Sequence, residues 1–80
     1  MAYAKTEDEW AERVRVFLKE ELKKADVGYV ELAKRLKKHG FKSETEASIT
    51  AKLKRGTFSA IFLLAALAAL EAEGIRLEDI

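Results

Sequence analysis

The stretch Gly28–Phe58, GYVELAKRLKKHGFKSETEASITAKLKRGTF, decides how this chain is read. Leu32, Ala33 and Leu36 recur at helical spacing, Gly40 is placed to stop that helix in a left-handed conformation, and Ile49 and Leu53 start a second inward stripe. Between them Ser43-Glu44-Thr45-Glu46 has the S-x-x-E form of a capping box, so the second helix begins at Ser43 or, one register later, at Thr45. Gly56 ends it, and Phe41 is expected as an apolar plug between the two. The pattern predicts helices over about 29–39 and 44–55.

Charge is concentrated in the same stretch. Eight cations stand against three acids there, a net of +5, whereas residues 1–27 carry −1 and residues 59–80 carry −3. The chain total of +1 hides this asymmetry. A single basic region is the electrostatic footprint of a nucleic-acid binder, although a run such as Lys34, Arg35, Lys37 and Lys38 is also what a solvated helix face looks like. At about 100° per residue, Glu44, Ala47, Ser48, Ala51, Lys54 and Arg55 fall opposite the Ile49 stripe, with Thr50 at the edge. Small residues beside cations would let this helix approach a partner closely.

Working outward, Thr6-Glu7-Asp8-Glu9 is a T-x-x-E box that starts a helix of about 7–25, with Trp10, Val14, Phe17, Leu18 and Leu22 on its inward stripe. Trp10 and Phe17 read as core anchors, and Glu20 with Lys24 reads as an i,i+4 pair on the wet side. Ser59 caps a fourth helix, about 60–73, that is apolar nearly all round up to Leu70. Such a helix must be covered on more than one side, which predicts a homodimer through Leu63, Leu64, Leu67 and Leu70. Ile75, Leu77 and Ile80 are expected in an extended tail or one more turn.

Eighty residues make one domain, rich in Ala, Leu, Lys and Glu and without proline, so the expected fold is all-α: a four-to-five-helix bundle containing a helix-turn-helix. No cysteine and one histidine leave no thiolate or imidazole metal site, and no nucleophile, base and orienting group come together. An enzyme is therefore not expected, nor a cofactor, a metal or a small-molecule substrate. Glu44 and Glu46 are read as serving the helix start, and His39 as suiting a helix C-terminus. The N-terminus lacks the form of a signal peptide, no run reaches the roughly 18 to 20 apolar residues that span a bilayer, and the absence of disulfides fits a cytoplasmic protein.

YVELAKRL, a glycine with an aromatic residue, then SITAKLKRG together resemble the lambda-repressor-like (Xre-type) helix-turn-helix family. More closely, Trp10 to Ile80, with its LAKRL, TEASI, KLKRGTFSA and RLED pieces, resembles a small bacterial family of uncharacterised helix-turn-helix-like domains. Leu32 and Ala33 match the family's Leu-Ala pair, Leu36, Ile49 and Leu53 its core positions, and Gly56 the Arg-Gly end of its recognition helix. Twelve residues separate Leu36 from Ile49, a longer connection than the usual motif has.

The resemblance implies double-stranded DNA binding by a small transcriptional regulator. Lys34, Arg35, Lys38, Lys42, Lys52, Lys54, Arg55 and Thr57 are the expected phosphate contacts, and Ala47, Ser48, Thr50, Ala51 and Lys54 the expected base-facing residues, with Thr45 or Glu46 at the helix start. The alternative is a protein-interaction module that offers the same basic face to an acidic partner and uses the fourth helix for self-association.

Overall fold

A computed structural model describes residues 3–80. Four α-helices and a closing 3₁₀ turn follow one another, with no strand among those residues: α1 Glu7–Ala25, α2 Tyr29–Lys37, α3 Glu46–Arg55, α4 Ala60–Ala69, and the turn Leu77–Asp79. The all-helical fold expected from the sequence is the one that forms.

Local chemistry sets each boundary. Thr6 opens α1 by accepting the Glu9 N–H at 3.1 Å. Glu7, Asp8 and Glu9 in the first turn and Lys23 and Lys24 in the last complement the helix dipole. Asp26, at φ 57°, ends α1 while the Val27 N–H reaches back to Leu22, which is the Schellman closure. α2 stops two residues short of the expected end because the Lys38 and His39 N–H groups bond three residues back, tightening the last turn to 3₁₀ geometry. Gly40, at φ 94°, then turns the chain so that the Phe41 N–H meets the Leu36 carbonyl at 3.0 Å. α4 ends at Ala69, before the expected Glu73, because Glu71 adopts φ 58° and the Ala72 N–H folds back on Leu67.

One core joins the four helices: Leu18 and Leu22 from α1, Leu32, Ala33 and Leu36 from α2, Ile49 and Leu53 from α3, and Phe62, Ala66, Leu67 and Ala69 from α4, closed by Val27 and Leu70. α2 packs on both α3 and α4, and α1 packs on α3. Phe41 is half-buried and meets Phe62 edge to face, as a plug between helices should. Each fully buried leucine contributes about 1.5–3 kcal/mol, so α2, with Leu32 and Leu36 sealed, is the strut against which α3 and α4 are set.

Three further expectations are corrected. Leu67 and Leu70 are only 6% and 7% exposed and belong to the domain's own core, so they are not open to a second copy. A helix that is apolar all round does not reveal by its periodicity which side faces in. Trp10 is 41% exposed and stacks on Tyr3 at 6.4 Å instead of anchoring the core, because it lies about one helical position (100°) round from Ala11, the residue that faces α3. Glu20 and Lys24 make no ion pair, and Arg15 pairs instead with Glu12.

Candidate nucleic-acid interface

α3 is fixed at both ends. At its start the N-cap is Thr45, whose hydroxyl accepts the Ser48 N–H at 3.1 Å while its own N–H donates to Ser48 Oγ at 2.9 Å. The Ser48 hydroxyl donates in turn to Glu44 Oε1 at 2.6 Å, and the other Glu44 oxygen pairs with Lys52 Nζ, which stands 4.6 Å over the Phe62 ring of α4. Burial alone would push the Glu44 carboxyl up, but hydrogen bonds from Lys52 and Ser48, with the Lys52 charge, outweigh it and hold the group below the ordinary value.

The far end of α3 rests on α1. Gly56 caps it at φ 70°, and its Cα comes so close to α1 that a Cβ there would lie 2.5 Å from the Ala11 carbonyl oxygen. Arg15 Nη1 donates to the Lys54 carbonyl at 3.1 Å, satisfying one of the helix's terminal acceptors.

Between these anchors the outer side of α3 stays open. Ala47, Thr50 and Lys54 are exposed and Ala51 is half-buried. These four share an arc of about 100° opposite Ile49 and Leu53. The Thr50 hydroxyl donates to the Glu46 carbonyl at 2.8 Å, so it faces outward as an acceptor. Two residues expected on this outer side are not there. Ser48 is half-buried with its hydroxyl committed to the cap, and Glu44 is 8% exposed, turned inward onto Lys52.

The expected phosphate set divides in the same way. Lys52 is spent on Glu44 and Phe62. Arg35 is held by Glu31 at 3.2 Å and by the Ala69 carbonyl at 3.0 Å, which ties α2 to the end of α4. Both are therefore corrected from phosphate contacts to internal struts. Among the described residues, Lys34, Lys38, Lys42, Lys54 and Arg55, with Lys37, are exposed and form no ion pair, and Thr57 is exposed just beyond Gly56. With Glu31 and Glu44 paired, six free cations face only Glu46 in this stretch.

Glu44 serves the start of α3 as expected, through Ser48, whereas its bridge to Lys52 and the Arg15 contact at the far end escape the sequence reading. α3 begins at Glu46, so Glu44 lies outside the helical periodicity that set it on the outward strip. The only trace is its separation of four from Ser48 and eight from Lys52.

The fold and this surface define a small all-α domain with a basic helix pair. Residues 10–75 match a family model described as a domain of unknown function (DUF6471), and the chain belongs to that family. No curated protein and no solved structure matched it.

Proposed function

We propose that this domain binds double-stranded DNA through α2 and α3 in the manner of lambda-repressor-like helix-turn-helix proteins, as a small bacterial transcriptional regulator without enzymatic activity. The observation that carries the reading is the open outer arc of α3, small and ending in Lys54 and Arg55, within a stretch where six exposed cations lack internal partners. Lys34, Lys38, Lys42, Lys54, Arg55 and Thr57 hold phosphates, fixing the domain on the duplex. Ala47, Thr50, Ala51 and Lys54 face the base edges. Alanine offers a base only apolar contact, with a thymine methyl, so sequence preference rests on Thr50 and Lys54 and stays modest.

Ile61 and Leu64, 67% and 65% exposed, replace Leu67 and Leu70 as the surface through which two copies meet. That same apolar surface supports the second reading, an interaction module whose basic face takes an acidic protein. Fluorescence anisotropy of a labelled duplex titrated at several salt concentrations tests the first reading: salt-sensitive binding is expected, and a flat response at low salt rejects it.

A further inference from the structure

A groove of about 730 Å³ runs along α1 on the side bounded by residues 73–80, away from the basic helix pair. We propose that it binds a small organic cation with an apolar body. Its volume falls in the range of small-ligand sites, roughly 300–1,000 Å³. Val16, Phe17, Ile75 and Ile80 supply apolar lining, and Val16 and Ile75 remain 48% and 38% exposed with no part of the described chain covering them.

The charge of the ligand follows from which lining groups are already engaged. Arg13 Nη1 donates to the Ile80 carbonyl at 3.4 Å, tying the tail across α1, and Arg76 pairs with Glu78. The side chains of Glu20, Glu21 and Glu73, also in the lining, take part in no ion pair or hydrogen bond, so three carboxylates stand against Lys24 and the guanidinium of Arg13, a net negative balance. Phe17 adds an aromatic ring to the same lining. Carboxylates round an apolar and aromatic lining favour a cation whose body is apolar, since the charge gains electrostatic and cation–π attraction while the body leaves water. An anionic amphiphile would meet net repulsion.

This inference does not rest on DNA binding, and its test contains no DNA. Rhodamine 6G, an apolar aromatic cation, is titrated with the full chain at low salt and followed by anisotropy, alongside the anionic apolar dye anilinonaphthalene sulfonate. Saturable rhodamine binding is expected, weakening with added salt. It should fall about tenfold in the triple variant Glu20→Gln, Glu21→Gln, Glu73→Gln, three surface charges each worth a fraction of a kcal/mol. Val16→Trp, at an exposed position that tolerates bulk, should fill the groove and block the dye while leaving the thermal melt unchanged. Equal or tighter binding of the anionic dye, a triple variant that binds rhodamine like the parent, or dye binding that survives Val16→Trp would each overturn the proposal. So would a change of oligomeric state in Val16→Trp, which would make the groove a contact between copies.

Discussion

The α-carbon of Gly56 and the carbonyl of Ala11 approach so closely that a methyl group on the glycine would stand 2.5 Å from that oxygen. This contact seats the C-terminal end of α3 on α1. Gly56→Ala should therefore be penalised twice, by its φ of 70° and by collision with backbone. A loss on the order of 2–3 kcal/mol is expected, visible as a fall in Tm of roughly 10 °C or more. Gly28→Ala, with open space around its α-carbon, is the matched control and should change Tm little. Equal effects of the two would show that the α1–α3 seat does not matter to stability.

Glu44 predicts an acid limb. Its carboxyl is held below the ordinary value of 4.5 in the folded state, so it contributes stability that is complete above that pH and is lost as pH falls through the lower folded value. Urea midpoints measured from pH 6 to pH 2.5 should decline in the parent, and the share due to this group should vanish in Glu44→Gln. Near neutral pH, Glu44→Ala should cost about 1–3 kcal/mol, since it leaves Lys52 half-buried without its partner.

Glu71 holds a left-handed φ of 58° at the end of α4, a conformation that suits glycine. Glu71→Gly should stabilise the domain by up to about 1 kcal/mol, and a calorimetric Tm no higher than the parent's would refute this account of how α4 stops.

For the proposed DNA complex, five lysine and arginine contacts per subunit set the salt dependence. Log affinity against log salt should fall with a slope of roughly −4 to −5 per subunit. The double change Lys54→Glu, Arg55→Glu should abolish duplex binding while circular dichroism and oligomeric state stay as in the parent. Absence of duplex binding in the parent, with loss of an acidic partner in the variant, would favour the interaction module.

Self-association through α4 is tested by Ile61→Lys together with Leu64→Lys. Both side chains are exposed, so the domain's stability should move by no more than about 0.5 kcal/mol per site. Sedimentation equilibrium should show a monomer where the parent associates. If the proposed dimer forms on DNA, its half-sites lie about 34 Å apart or at a multiple of that distance.

The helices were legible because their signals are local. Thr6, Gly40, Ser59 and Gly56 mark ends by backbone chemistry that needs no partner, and Leu32, Leu36, Ile49 and Leu53 repeat at a period only a helix uses. What escaped the reading depends on tertiary contact. Nothing in the spacing of Arg35 or Lys52 distinguishes a cation tied to Ala69 or Glu44 from one left in water. The uniform apolarity of α4 conceals that Leu67 turns in while Leu64 turns out. The end of α4 shows the same limit, since Glu71 does not announce a left-handed turn as glycine does.

The placement of Trp10 bears on how unfolding of this domain will look. It is the chain's single tryptophan, part-exposed, with its ring stacked on Tyr3 ahead of the first helix. Its emission therefore monitors whether the leading segment stays docked and does not monitor the sealed interior. Fluorescence and ellipticity curves will separate if that segment lifts first, and the earlier transition will then be a fraying start, with the core still closed.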